Sequence, residues 1–84
     1  MEIKSALDWQ QVSETLRAEI RYIGFNPDLV KMLGNITIMV TDLSKLEVNS
    51  RRLHAQKILT EPLAKINQSI KHLEQLLLMA RLMK

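Results

Sequence analysis

The sequence predicts an all-α fold: a short N-terminal helix packed on a long antiparallel helical hairpin, with copies oligomerising into a helical bundle. Three observations predict it. Apolar residues recur at spacings of three and four in each of three segments, the period of one helix face. The only two prolines, Pro27 and Pro62, divide the chain into those segments. Hydrophobic residues make up 46% of the chain but aromatics only 4%, so Leu, Ile and Met must fill the interior, the composition of helix-on-helix packing. A chain of 84 residues is expected to form a single domain, near the lower end of sizes that fold alone.

Helix 1 is expected over residues 5–23. Ser5 followed by Asp8 matches a capping box, with Asp8 a second candidate cap. Trp9, Val12, Leu16, Ile20 and Ile23 fall on one face, while Glu14, Arg17 and Arg21 fall on the opposite, solvated side. Gly24 then supplies a C-terminal stop. The junction GFNPDLV opens the next helix. Asn26 is an N-cap, Pro27 occupies the first helical position, where its missing N–H costs nothing, and Asp28 complements the positive end of the dipole. Phe25 and Val30 can form a hydrophobic staple across that cap, which makes Phe25 a structural clip rather than a ligand contact.

Helix 2 is expected over residues 27–58. Leu29, Ile36 and Leu43 are spaced by seven, as are Met32, Met39, Leu46 and Leu53, the two seams of a heptad pattern interrupted by Ser50. Within it, GNITIMVT follows a turn-like Gly-Asn with alternating β-branched residues and in isolation reads as a strand. Gly34 inside a helix costs roughly 1 kcal/mol relative to Ala. A lone strand needs a partner, however, and no other segment offers one short of a symmetry mate, so helix is the expectation for 36–41. Helix 3 is expected over residues 61–83, with Thr60 as cap and Pro62 in the first turn; a kink at Pro62 in one continuous helix is the alternative. Leu63, Ile66, Ile70, Leu73, Leu77 and Ala80 form its seam.

The last turns break this one-sided pattern. LLLMARLM, residues 76–83, has a single polar residue, Arg81. A helix that is apolar all round is a buried helix, and three helices cannot bury one of themselves on every side. Leu76, Leu78, Met79, Leu82 and Met83 are therefore expected to form an oligomer interface with another copy of the chain, most simply a dimer. Four or five large side chains at roughly 1.5–3 kcal/mol each would drive it.

Charge is unevenly placed. Residues 1–42 hold four Lys/Arg against six Asp/Glu, and residues 43–84 eight against three, for a net charge of +3. Lys45, Arg51, Arg52 and Lys57 crowd the expected end of helix 2. Cations there complement the helix dipole, which is the commoner role. The functional alternative is an anionic-partner or nucleic-acid contact that touches phosphates rather than stacking on bases, since no aromatics interleave with it.

Other chemistry is sparse. Without cysteine there is no disulfide, thiol nucleophile or cysteine-bound zinc, and a cytoplasmic setting is expected. His54 and His72 lie far apart without flanking ligands, so no metal is expected. Gly24 and Gly34 are the only glycines and form no phosphate loop. No cofactor site, catalytic residue or enzyme activity is expected. The N-terminus has no basic region leading into an apolar run, so no signal peptide is expected, and no stretch nears the roughly 18 apolar residues of a membrane span. The N-x-S/T matches at Asn35 and Asn67 are read as chance. The expected function is a non-enzymatic oligomeric interaction module, an assembly or adaptor protein holding a protein partner. A small oligomeric nucleic-acid-binding accessory protein ranks below it, and a peripheral membrane binder lower still.

Overall fold

The computed structural model describes residues 1–24, 26–49 and 55–83. Three helices pack together: α1 (Trp9–Ile23), α2 (Pro27–Asn49) and α3 (Ala55–Leu82), preceded by a single 3-10 turn at Ala6–Asp8. No strand occurs among the described residues. The most extensive contact is between α2 and α3, and α1 packs against both. The molecule measures 48 × 17 × 15 Å, and its radius of gyration is 14.0 Å, against about 12 Å for a spherical domain of this length.

The core follows the apolar stripes. α1 buries Trp9, Ser13, Leu16 and Ile20, α2 buries Leu29, Leu33, Ile36, Val40 and Leu43, and α3 buries Ile66, Ile70, Leu73 and Leu77. On α2 only one of the two expected heptad seams is buried. Leu33 and Val40 are inside, while Met32 and Met39 sit half-buried at the edge and Leu46 is exposed. The stripe Leu29–Leu33–Ile36–Val40–Leu43 must face α1 as well as α3, which turns α2 away from a two-stranded seam. Leu53 lies outside the described residues.

Residues 36–41 are helical. Thr37 and Thr41 donate their hydroxyls to the carbonyls of Leu33 (2.9 Å) and Thr37 (2.9 Å), which lets β-branched residues sit inside a helix with their polar atoms satisfied. The Trp9 indole N–H in turn donates to Thr37 Oγ1 at 3.3 Å, tying α1 to α2. Gly34 is exposed, and a Cβ placed there would meet no atom within 4 Å. Gly34→Ala is expected to raise stability by about 1 kcal/mol, by removing backbone freedom from the unfolded chain. Urea denaturation checks it, and a loss of stability would mean that another chain approaches the backbone closely at this point.

Two helix ends differ from expectation. α2 is described to Asn49 rather than to residue 58, and α3 begins at Ala55 rather than at 61, with Pro62 inside it. Residues 55–59 thus belong to α3. A continuous helix forfeits the one hydrogen bond Pro62 cannot donate but keeps Leu59 and Leu63 packed against the core, on the line that Ile66 and Ile70 continue. Starting α3 at 61 would give up Leu59. At the other end, the first turn is 3-10 rather than α-helical, and the capping box is displaced. Ser5 makes no side-chain cap, and Asp8 accepts from the Lys4 N–H (2.8 Å) rather than from Ser5. The free N–H of Ala6 is capped from α2, by the Glu47 carboxylate at 3.1 and 3.3 Å.

At the second junction the Asn26 cap and the Gly24 stop are as read. Asn26 Oδ1 accepts from the N–H groups of Asp28 (3.0 Å) and Leu29 (3.4 Å). Gly24 ends α1 at φ +113°, a conformation L-residues with a Cβ rarely adopt. The proposed clip residue Phe25 lies outside the described residues, and Val30 is exposed.

The N-terminal strap was not foreseen. Ile3 is 1% exposed and joins the core. Its backbone is held on both sides by one side chain, its N–H donating to Asn67 Oδ1 (2.7 Å) and its carbonyl accepting from Asn67 Nδ2 (3.0 Å). The Met1 ammonium group pairs with Glu74 at 3.0 Å. Asn67, one of the two sequon residues, therefore has a structural role.

Candidate interaction surface

The C-terminal turns of α3 separate into an inner and an outer side. Leu77 is buried, and Leu76 and Ala80 are half-buried, with Leu76 packed against the core. Leu78 is 57% exposed, Met79 58%, Leu82 78% and Met83 86%, so α1 leaves these four uncovered. Of the five residues expected at an oligomer interface, Leu76 is thus partly committed to its own chain's core, and the other four form a continuous exposed apolar surface over the last two turns.

Arg81 sits at the edge of that surface, between it and the buried Leu77. Its guanidinium carbon lies 5.3 Å from the centroid of the Tyr22 ring, and its Nη2 is 3.9 Å from Glu19 Oε2. The only polar residue of the segment is therefore turned toward the end of α1, with Leu78 beside it and Met79, Leu82 and Met83 further round the helix. Both contacts are solvent-exposed, each worth well under about 1 kcal/mol.

A second feature lies between α2 and α3, where no residue of α1 contributes. This open groove encloses about 730 Å³. Met32, Ile36 and Met39 from α2 form its apolar floor; Lys65, Lys71 and His72 line the α3 side, with amides and a hydroxyl completing the wall. No carboxylate lines it. Lys65 has an exposed i,i+4 partner in Glu61 at 3.6 Å.

The basic cluster is only partly in view. Lys45 and Lys57 are exposed, on α2 and α3 respectively, and Arg51 and Arg52 lie outside the described residues. At physiological salt, DNA and RNA binding is expected to be weak and sequence-independent, and little changed in Arg51→Ala/Arg52→Ala. Electrophoretic mobility shift across a salt series measures it; tight binding that falls steeply with salt and vanishes in the variant would make this cluster the functional site.

Among the described residues no group of three or more His, Cys, Asp or Glu side chains is placed to hold a metal ion, and no helix is long and apolar enough to cross a membrane. No buried side-chain nitrogen or oxygen among them lacks a partner. No protein-family model, curated protein or solved structure matches the chain.

Proposed function

We propose that this protein is a non-enzymatic, cytoplasmic interaction module that associates with itself through the last turns of α3 and, in that assembled form, holds a protein partner. The observation that carries this is the exposed run Leu78, Met79, Leu82 and Met83 on a helix whose other side is core. In this reading α2 and α3 run antiparallel, which agrees with Arg81 near the end of α3 reaching Tyr22 just before α2 begins. Two copies would bring their α3 ends together, most simply as a dimer and a larger helical bundle.

Surface area supports it. The chain exposes 6374 Å², whereas the size scaling for compact monomers gives about 5,100 Å² for 9.7 kDa. The excess is of the order that one partner buries in a standard interface, about 800 Å².

Leu78→Glu/Leu82→Glu tests the surface. It is expected to yield a monomer that keeps most of its helical circular dichroism, because both side chains point away from the core, and an unpaired carboxylate in an interface costs several kcal/mol. Light scattering after size exclusion reads the mass. A variant that keeps the wild-type oligomeric mass would place the interface elsewhere, with the exposed face of α2 around Ile38 next in line.

A further inference from the structure

We infer that the groove between α2 and α3 is a seat for an acidic amphipathic helix of a partner protein. The inference rests on the reading of the chain as a protein-binding module and names the class of partner. The groove offers what helix-in-groove recognition uses, an apolar floor between two parallel walls. Met32 to Met39 spans about 10 Å of α2, and Lys65 to Gln75 about 15 Å of α3, at the helical rise of 1.5 Å per residue. That length takes two to three turns of a guest helix, enough for anchors at i, i+4 and i+7.

The chemistry of the lining selects the guest. Two of the three floor residues are methionines, whose unbranched, polarisable side chains adapt to differing apolar anchors. The ionisable groups on the wall are Lys65, Lys71 and His72, without a carboxylate among them. Glu61 beside Lys65 is solvent-exposed and offsets one cation only in part. A guest with carboxylates flanking its apolar stripe is therefore attracted and held in register, while one flanked by Lys or Arg is repelled. The surface beside Leu78 is mixed in charge, with Glu2, Glu19 and Glu74 lining it together with Lys71 and Arg81. Occupancy by a second copy is separated from a partner helix by oligomeric mass.

The test uses two fluorescently labelled synthetic helices that share Leu at i, i+4 and i+7 and differ only in flanking residues, Glu in one and Lys in the other. Titrated with the intact protein and read by anisotropy, the Glu-flanked peptide is expected to bind at least about tenfold more tightly, with the difference shrinking as salt rises. Lys65→Glu/Lys71→Glu is expected to reverse the preference without changing the protein's sedimentation. The monomeric Leu78→Glu/Leu82→Glu variant is expected to bind the Glu-flanked peptide as the wild type does, which separates this site from self-association. Equal binding of the two peptides, or a preference unaltered by the lysine reversals, would overturn the proposal. So would a change of oligomeric mass in Lys65→Glu/Lys71→Glu, because the groove would then be occupied by a second copy.

Discussion

Leu73→Ala is expected to lower the stability of the folded chain by about 3–5 kcal/mol. Leu73 is 0% exposed and lies between Ile70 and Leu77 on the side of α3 that faces both other helices. Truncating it removes the transfer energy of the side chain and leaves a cavity that rigid helices cannot collapse into, which places it in the range for buried Leu→Ala changes. An 84-residue domain has roughly 4–13 kcal/mol in total, so this single substitution consumes a large share of it. At about 4–8 °C per kcal/mol for a domain of this size, the melting temperature should fall by more than 10 °C. Ile38→Ala is the control. Ile38 is 63% exposed, and its loss should cost within about 0.5 kcal/mol in a monomer. Thermal and urea melts of both variants at one protein concentration make the comparison. Similar losses in the two would mean that the core is not centred on α3.

The second large effect is expected at the strap. Asn67→Ala removes the side chain that satisfies both the N–H and the carbonyl of Ile3. Each hydrogen bond contributes about 0.5–1.5 kcal/mol net, and release of the strap also exposes Ile3, worth a further 1.5–3 kcal/mol if it leaves the core. With the two bonds and Ile3 both lost, a loss of about 2.5–6 kcal/mol is expected. Because both residues act through one docked segment, Asn67→Ala and Ile3→Ala should not be additive. Once the strap is free, the second substitution has little left to remove. A double-mutant cycle from denaturation reads the coupling, and full additivity would show that Ile3 stays docked without Asn67.

How much of this could be read from the chain depended on the range of the interactions. The stripe Ile66–Ile70–Leu73–Leu77 was legible because a helix repeats its core face every three or four residues, and the structure buries all four. The Asn26 cap was legible because its donors lie two and three residues away. Ile3 and Asn67 are 64 residues apart, and Glu47 caps Ala6 across 41; no local pattern signals either pairing. At Pro62 a local rule pointed to a helix start, and tertiary packing of Leu59 and Leu63 prevailed over the one lost hydrogen bond. The methionine seam on α2 read as a coiled-coil position, and what the periodicity could not supply was the place of α1, which rotates Met32 and Met39 to the edge of an open groove. At the C-terminus the all-round apolar pattern correctly marked side chains that one chain leaves uncovered. Leu76 is shared between the two sides, because its arc also touches the core.

Self-association is the central claim, and sedimentation equilibrium of the wild-type protein tests it most directly. Across roughly 1–100 μM, the account predicts a weight-average mass that rises from, or already exceeds, the 9.7 kDa of one chain and fits a closed oligomer, most simply a dimer. A single species of 9.7 kDa at every concentration would contradict it.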